Sequence, residues 1–271
     1  MMMEKIANGR TAEIFAHDEK HILKLYLPEW TKADAEFEFG LAQKIQTSNI
    51  PTPAALELVE VDGRHGIIFE RVYGRTLLQI IMEDPTQLAS LTRKLAELQA
   101  TMHNSQVKGL PDNRQRLRRK INMAQPLDEE TKTAVLARLN QLPHDKCLLH
   151  GDFHFDNILM TDNGPVIIDW IDASLGHPLA DVARTLIIMS HGDPLDTDKI
   201  LRQQIQVMRQ TFVSVYLERY GECRPFTPTD LNDWKAPIAA GRLSENILEI
   251  EADLLSVVTS KTQTSPNHQR S

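Results

Sequence analysis

The chain has 271 residues, of which 41% are hydrophobic and 25% are charged. These fractions lie close to the average of globular proteins, so they exclude a collagen-like, coiled-coil or wholly disordered chain. The formal charge of −7 argues against broad attraction to nucleic acid or anionic lipid, and two cysteines form neither a disulfide framework nor a zinc cluster. No apolar run reaches the roughly 18 residues of a membrane span, and the first residues carry no apolar signal segment, so we expect a cytoplasmic protein.

The first 75 residues show a pattern of short strands around a single helix. Strands are predicted at Thr11–Ala16, His21–Leu27, Ala54–Val61 and Gly66–Val72, with a helix at Lys32–Gln46. The helix must end before Pro51 and Pro53, because proline lacks the amide that a helix interior requires. Asp62-Gly63 lies between the last two strands and is a strong signal for a hairpin turn. This part of the chain therefore predicts a small sheet with one inserted helix.

From Thr76 onwards the apolar residues recur mainly with the 3.6-residue period of helices. Helices are predicted at 76–83, 86–103, 113–123, 128–141, 179–190, 196–220 and 236–256, and strands at Cys147–His150, Asn157–Met160 and Val166–Trp170. The change of periodicity predicts two lobes, at 1–73 and 74–259, followed by a flexible polar tail at 260–271.

The most informative segment is His150–Asn157, with the sequence HGDFHFDN between two apolar pairs. It contains H-x-D-x-x-x-x-N, the spacing of a kinase catalytic loop. Asp169 follows at the end of an apolar strand, and a strand–loop–strand–turn–strand path would bring Asp152, Asn157 and Asp169 together. One carboxylate could then accept the proton of an attacking hydroxyl, while the amide and the second carboxylate bind Mg²⁺ at the phosphates. A loop whose polar residues only cap turns is the simpler alternative.

On these residues the chain resembles the aminoglycoside phosphotransferase and choline kinase group, which are small-molecule relatives of protein kinases. The resemblance extends from Ile6 to Leu255 and is strongest in Leu148–Asn157, Val166–Asp172 and Gly176–Asp181. It implies a bilobal, kinase-like α+β fold. A small antiparallel-sheet lobe with one helix would bind nucleotide, and a larger, mostly helical lobe would hold the catalytic and substrate-binding residues.

The resemblance also implies a role for each site residue. Asp152 would be the catalytic base, and Asn157 and Asp169 would bind Mg²⁺. Lys24 would hold the α- and β-phosphates of ATP, with Glu38 as its partner. Gly9, Arg10 and Thr11 would lie in the loop over the nucleotide. The backbone of Glu70–Tyr73 would meet the adenine, and Glu70 and Val72 are the residues of this range assigned to ATP binding. Asp181 would bond the backbone of the catalytic loop, and His150 is interpreted as a buried residue that orients this loop.

The residues themselves support the pairing of Lys24 with Glu38. Lys24 is a cation within an apolar strand, where an unpaired ammonium would be costly. Glu38 lies on the same stripe of its helix as the apolar residues, whereas Glu36 points elsewhere. The alternative is that Lys24 lies on an edge strand with its ammonium group in water.

Several features depart from the pattern of protein kinases. The loop Asn8–Ala12 lies where a glycine-rich loop is expected but holds one glycine. Gly151 stands where protein kinases have arginine, and Trp170-Ile171 replaces Phe-Gly after the metal-binding aspartate. The short interval between Asp169 and Asp181 leaves little room for an activation segment. These departures argue against a protein acceptor.

Carboxylates and aromatic side chains suggest a cationic acceptor. The residues considered are Glu245 and Glu249 on a helix predicted at Arg242–Leu255, Asp172, Trp170 and Trp234. A solvated acidic helix face paired with Arg242 is an equally good explanation. The basic run at 114–120 is explained better by a solvated helix face than by a nucleic-acid site.

We therefore predict an ATP- and Mg²⁺-dependent phosphotransferase that moves the γ-phosphate to a hydroxyl of a small molecule of the aminoglycoside or amino-alcohol type. The alternatives are the same fold acting on a sugar amine or homoserine, and a nucleotide-binding pseudokinase without turnover. The presence of Lys24, Asp152, Asn157 and Asp169 favours an enzyme. No nucleic-acid or membrane partner is predicted, and a monomer is compatible with the sequence.

Overall fold

The computed structural model of the chain describes residues 4–191 and 199–262. The strands are β1 (Lys5–Asn8), β2 (Ala12–Ala16), β3 (His21–Tyr26), β4 (Ala55–Val61), β5 (Arg64–Glu70), β6 (Arg75–Thr76), β7 (Cys147–Leu149), β8 (Ile158–Thr161), β9 (Gly164–Ile167) and β10 (Ser174–Gly176). The helices are α1 (Lys32–Ile45), α2 (Leu77–Glu83), α3 (Leu88–Met102), α4 (Asn113–Met123), α5 (Glu129–Gln141), α6 (Pro178–Ser190), α7 (Lys199–Cys223), α8 (Pro228–Arg242) and α9 (Leu248–Thr262). No helix within the described residues is long and apolar enough to cross a membrane.

The chain divides into two compact units that are not continuous in sequence. Unit 1 comprises Met1–Pro85, Ser105–Leu110 and Phe155–Ala173, and unit 2 comprises Thr86–Asn104, Pro111–His154 and Ser174–Ser271. This division differs from the contiguous lobes predicted at 1–73 and 74–259. The reason lies in hydrogen bonding: β6 pairs with β8, and the Ile167 amide donates to the Pro51 carbonyl. These bonds join the β8–β9 hairpin to the N-terminal residues, which no local sequence pattern could indicate.

An antiparallel sheet in the order β1-β2-β3-β5-β4 forms most of unit 1. Helix α1 is inserted between β3 and β4, and it begins with a capping box in which Thr31 and Asp34 satisfy each other's backbone amides. The β4–β5 turn is the predicted Asp62-Gly63, and both residues have the positive φ that a type I′ turn requires.

The two faces of β3 bury different sets of side chains. Tyr26 packs with Ala12, Ala35 and Ile67, while Leu23 and Leu25 pack with Ile68 in a separate cluster. Successive residues of β3 therefore point to opposite faces of the sheet. Because Lys24 lies between Leu23 and Leu25 along the strand, its side chain emerges on the face that carries α1. The strand therefore directs a lysine into a buried environment.

Unit 2 contains α3 to α9 and the two-stranded sheet of β7 and β10. A helix was predicted at 236–256, but the structure has α8 and α9 separated by a short 3₁₀ helix (Leu243–Glu245). Asn246 follows with φ 52°, in the left-handed region that ends helices. The predicted continuous helix is therefore wrong. Helix α8 instead begins at Pro228. Its N-cap is Thr227, whose side chain forms a capping box with Asp230.

Most other predicted elements are confirmed within three residues of their bounds. Strands β1, β6 and β10 were not predicted, and two of them have only two or three residues. The strand predicted at Val166–Trp170 ends at Ile167, because the chain turns at Asp169 with φ 63°. Residues 196–198 of a predicted helix lie outside the described residues. So does most of the predicted tail at 260–271, whose first three residues still belong to α9.

Candidate active site

Lys24, Glu38 and Asp169 meet in unit 1. The ammonium of Lys24 on β3 donates to Oε1 of Glu38 on α1 at 2.7 Å and to Oδ1 of Asp169 at 3.0 Å. The Lys24 and Glu38 side chains are only 10% and 3% exposed, which confirms the predicted buried pair and excludes an ammonium in water. Burial by itself would lower the pKa of Lys24, but the carboxylates of Asp169 and Glu38 outweigh it and raise the pKa. The ammonium is therefore charged.

Glu38 has a second donor, which the sequence analysis did not identify. The hydroxyl of Tyr26 donates to Oε2 of Glu38, so each carboxylate oxygen has its own partner. Burial, together with the charge of Glu38, raises the pKa of Tyr26, so this hydroxyl keeps its proton. Glu36, two residues away, is exposed and pairs with Lys32 at 3.5 Å. The structure therefore fixes the orientation of Glu38 and not that of Glu36.

Asn157 and Asp169 lie next to each other in unit 1. The Asn157 carbonyl accepts a hydrogen bond from the Ile168 amide at 3.0 Å, and the Asn157 side chain is largely buried. Asp169 adopts φ 63°, which is uncommon for a residue other than glycine and is concentrated at functional sites. The amide oxygen of the Asn157 side chain and the carboxylate oxygens of Asp169 are ligands that suit Mg²⁺. Within the described residues, no three His, Cys, Asp or Glu side chains form a metal cage.

The remaining predicted nucleotide residues lie in two segments of unit 1. Gly9, Arg10 and Thr11 form the turn between β1 and β2, in which the Gly9 amide donates to the Ala12 carbonyl at 2.8 Å. A side chain at residue 9 would approach that carbonyl to 3.1 Å, so the turn is narrow. A larger residue at position 9 would therefore require a shift of a few tenths of an ångström in this turn.

The segment predicted to meet adenine follows β5. The Glu70 amide donates to the Ala54 carbonyl, and the Arg71 amide donates to the Lys20 carbonyl at 2.7 Å. Val72 is half-buried in the stretch that leads on to β6. These two segments of unit 1 thus hold the predicted ATP-binding backbone, and their contact with nucleotide stays a prediction.

Asp152 lies in unit 2, on the loop that follows β7. Its backbone amide donates to Nδ1 of His150 at 3.2 Å, and His150 is fully buried, which confirms its predicted loop-orienting position. His154 contacts the Asp152 carboxylate at 3.3 Å. Burial would raise the pKa of Asp152, but the hydrogen bond from His154 and the charges of His154, Arg184 and His150 hold it well below its usual value. The expected convergence of Asp152 with Asn157 and Asp169 stays a prediction.

One turn of α6 holds this loop through three side chains. Asp181 accepts from the backbone amides of residues 150 and 151 at 3.1 and 2.8 Å, which confirms its predicted role. Arg184 donates through Nε to the Gly151 carbonyl, and Thr185 donates to the Phe153 carbonyl at 2.9 Å. Residues at i, i+3 and i+4 share one face of a helix, so a single turn fixes the loop. Arg184 and Thr185 were missed, although their spacing from Asp181 was a usable signal.

A buried network behind α6 fixes Asp181 in turn. Gln99 donates to the Asp181 carboxylate at 3.0 Å, and His103 contacts it at 3.2 Å and Tyr220 at 2.7 Å. Burial lowers the pKa of His103, so its ring is neutral at neutral pH and donates one proton. Burial would raise the pKa of Asp181, but the hydrogen bonds from His103 and Gln99 hold it below its usual value. Asp181 is thus a buried carboxylate with all its oxygens occupied.

Comparison with known proteins identifies the family. Residues 3–225 match the model of the phosphotransferase enzyme family. The chain belongs to this family. Two curated relatives, the rat and mouse proteins named acyl-CoA dehydrogenase family member 11, are 23% and 24% identical over 228 and 234 residues, or 72% of this chain. The chain spans only 28% of the length of either relative.

Solved structures of kinase-like phosphotransferases have the same fold. An aminoglycoside phosphotransferase in a ternary complex with AMP-PNP and hygromycin B is 18% identical, with a TM-score of 0.65 over 97% of this chain and 94% of the other. A choline kinase from Cryptosporidium parvum is 15% identical, with a TM-score of 0.57 over 97% and 88% of the two chains. The predicted kinase-like α+β fold is confirmed.

The expected acceptor features of this phosphotransferase need correction. Glu245 lies in a 3₁₀ helix that is separated from α9, and its carboxylate is close to Arg184 at 2.7 Å, Lys120 at 3.1 Å and Arg242 at 3.7 Å. Trp170 is buried in unit 1, where its indole donates to Thr52 at 2.9 Å. Trp234 is buried in unit 2 and stacks on His177. These side chains are engaged in internal contacts, so they do not form the exposed anionic and aromatic surface expected for a cation.

The basic run on α4 is also engaged in internal contacts. Arg114 donates to the carbonyls of Asn140, Leu142 and Pro143 at the end of α5. Arg118 donates to the Asn140 side chain at 2.6 Å. A cation at the carboxyl end of a helix satisfies terminal carbonyls and complements the helix dipole. The run thus has a structural explanation, more specific than the solvated face that was predicted.

Proposed function

We propose that this phosphotransferase uses ATP and Mg²⁺ to transfer the γ-phosphate to a hydroxyl group of a small molecule. The observation that carries the proposal is the contact of Lys24 with both Glu38 and Asp169 within unit 1. A charged, buried ammonium held by one glutamate can bind phosphate oxygens without reorganising. The neighbouring Asp169 remains close enough to bind the metal that accompanies those phosphates.

The proposed nucleotide and metal residues follow from their chemistry. Asn157 and Asp169 would bind Mg²⁺, which takes oxygen ligands from one or two side chains together with substrate phosphates. When bound, Mg²⁺ would neutralise charge on the β- and γ-phosphates. Lys24, held by Glu38, would orient the α- and β-phosphates. The turn of Gly9, Arg10 and Thr11 would cover them with backbone amides, and the backbone of Glu70 to Val72 would meet the adenine.

Asp152 is the proposed proton acceptor in the transfer step. The acceptor hydroxyl attacks the γ-phosphorus, a new oxygen–phosphorus bond forms, and the bond between the γ-phosphorus and the bridging oxygen breaks as ADP leaves. The hydroxyl proton passes to a carboxylate oxygen of Asp152. Because the pKa of Asp152 is lowered, the carboxylate is available as an acceptor throughout the neutral range.

The acceptor class is proposed from the relatives and from the sequence. Aminoglycosides and amino alcohols are the first candidates, since structures with the same fold include an aminoglycoside phosphotransferase with hygromycin B and a choline kinase. Sugar amines and homoserine are the alternatives within the same chemistry. A pseudokinase that binds nucleotide without turnover is the alternative of a different class.

Three substitutions test the proposed roles against one another. Asp152→Asn keeps the shape but removes the proton acceptor, so transfer should fall by roughly 10²–10⁴ while MgATP binding survives. Asp169→Asn should weaken both Mg²⁺-dependent nucleotide binding and turnover, because it removes a charge proposed to face the metal. Asn157→Ala should have an intermediate effect.

The assay combines ATP titration, with and without Mg²⁺, and a transfer assay on a panel of acceptors. The panel contains aminoglycosides, amino alcohols, sugar amines, homoserine and neutral sugars. Transfer by Asp152→Asn at the wild-type rate would contradict the kinase assignment of this loop. MgATP binding without transfer to any member of the panel, or to water, would favour the pseudokinase.

A further inference from the structure

The peptide group between Gly151 and Asp152 is fixed at both ends within unit 2. Its carbonyl oxygen accepts from Nε of Arg184, and its amide nitrogen donates to His150 at 3.2 Å. Gly151 itself has φ 83°, and its own amide donates to Asp181 at 2.8 Å. A glycine in this conformation has broad freedom in the unfolded chain and little intrinsic preference for one orientation. The contacts around it must therefore set the direction of the Asp152 side chain.

Arg184 reaches the loop and the carboxylate with the same guanidinium. While Nε donates to the Gly151 carbonyl, Nη2 lies 4.0 Å from Oδ1 of Asp152 and Nη1 lies 2.7 Å from Oε1 of Glu245. The planar guanidinium of arginine has donors in fixed directions, so one orientation serves all three contacts. The Arg184 side chain is only 12% exposed. Lysine, with a single ammonium, could make at most part of this arrangement.

Glu245 fixes the guanidinium from the opposite side. It lies in the 3₁₀ helix between α8 and α9, and its carboxylate is surrounded by Arg184, Lys120 and Arg242. Burial would raise the pKa of Glu245, but these three cations hold it below its usual value, so the carboxylate is charged. A charged carboxylate at 2.7 Å makes a strong, directional hydrogen bond to arginine. Segments from α4, α6 and α8 thus meet at one side of the Asp152 loop.

We propose that Arg184 and Glu245 form a positioning pair for Asp152, in which Glu245 orients Arg184 and Arg184 fixes the peptide that carries the base. The inference rests on the proposed role of Asp152 and adds to it two residues that do not react themselves. Misplacement of a reacting group by about 1 Å can cost about 10² in rate, which is the effect that such a pair prevents. The pair affects the rate of turnover and not the affinity for nucleotide.

The test compares five variants of the full chain, one of which is the double variant Arg184→Gln with Glu245→Gln. Arg184→Gln removes the charge, Arg184→Lys keeps the charge but loses the planar geometry, and Glu245→Gln removes the carboxylate charge. Arg138→Gln is the matched control, because it also removes an interhelical ion pair of unit 2, with Asp233 on α8. The measurements are phosphate release from MgATP with water as the acceptor and the affinity for AMP-PNP.

A positioning pair predicts a specific pattern. Arg184→Gln should lower kcat by about 10² and Glu245→Gln by about 10, with AMP-PNP affinity unchanged. The double variant should be no slower than Arg184→Gln, because Glu245 acts only through Arg184. Arg184→Lys keeps the charge without the planar donor geometry, so it should not restore kcat.

Several results would overturn the proposal. It fails if Arg184→Gln and Arg138→Gln have equal kcat, if nucleotide affinity falls in parallel with kcat, or if the effects of the two substitutions multiply in the double variant. Wild-type hydrolysis by Asp152→Asn would instead refute the proposed function.

Hydrogen–deuterium exchange of the peptide covering residues 148–157 tests the positioning without any turnover. Faster exchange is expected in Arg184→Gln and Glu245→Gln than in Arg138→Gln. Equal exchange in all three variants would also overturn the pair.

Discussion

Glu38→Gln is the substitution that tests the nucleotide end of the proposed site most sharply. It changes a charge without changing the shape of the side chain, and the glutamine can still accept the hydrogen bond from Tyr26. Lys24 then loses one of its two carboxylates and depends on Asp169, which lies 3.0 Å away. We expect a moderate loss of stability and a larger effect on the metal, because Asp169, the residue proposed to bind Mg²⁺, then carries the remaining carboxylate of the two that contact the lysine.

The magnitude follows from the geometry of the contacts. Breaking a fully buried ion pair leaves an uncompensated charge and costs about 3–5 kcal/mol. Glu38→Gln leaves Lys24 with Asp169 and retains an acceptor oxygen, so the free energy of unfolding should fall by only about 1–3 kcal/mol. Lys24→Met removes the cation and leaves two carboxylates close together, so it should reach the larger value of about 3–5 kcal/mol. Lys24→Met should therefore lower the free energy of unfolding more than Glu38→Gln does.

Glu36→Gln is the matched control on the same helix. Its carboxylate is exposed and pairs at 3.5 Å with Lys32, so the substitution should leave stability, Mg²⁺ dependence and turnover unchanged. Urea unfolding gives the stability, and titration of ATP at several Mg²⁺ concentrations gives the metal dependence. Impairment of Glu36→Gln with normal behaviour of Glu38→Gln would refute the assignment of the lysine partner. An unaltered Mg²⁺ requirement in Glu38→Gln would refute the competition for Asp169.

Two further predictions concern the loop and its support. Gly151→Ala places a side chain at φ 83°, which should cost about 1–2 kcal/mol and lower kcat more than the affinity for nucleotide, as measured by unfolding and by AMP-PNP binding; an unchanged kcat would contradict this. Asp181 has a lowered pKa in the folded state, so it contributes stability above its unfolded pKa of about 4, and this contribution is lost as the pH falls through the folded value. Asp181→Asn should destabilise the chain at pH 7 and flatten the loss of stability in acid, and a steep acid limb that persists in this variant would count against the assignment.

The pairing of Lys24 with Glu38 could be predicted from the sequence because the signals for it are local. Lys24 stands out as a cation in an alternating apolar strand, and Glu38 falls on the buried stripe of the next helix. The partner of such a lysine can be inferred since few acidic residues share that stripe. The contact of Lys24 with Asp169 joins residues 145 positions apart, and only the folded chain reveals it.

Sequence signals are weaker where a single residue changes the course of the chain. Asp169 continues an apolar run, so the strand was extended through it, whereas the structure turns there with a positive φ. Asn246 ends a helical pattern without glycine or proline, and asparagine is tolerated in many helices. This break moved Glu245 off the predicted helix and into contact with Arg184. The acceptor side of the site was therefore predicted with the wrong partners.

The lowered pKa of Asp152 bears on its proposed role as the proton acceptor. A carboxylate with a lowered pKa is a weak base, so basicity alone contributes little to the removal of a proton. Its ionised form is present throughout the neutral range, so the supply of the reactive form does not limit the rate. What remains to be optimised is the direction of the carboxylate relative to the acceptor hydroxyl. Asp181, Arg184 and Thr185 act on the backbone on both sides of Asp152 and therefore supply orientation, the factor that a weak base needs most.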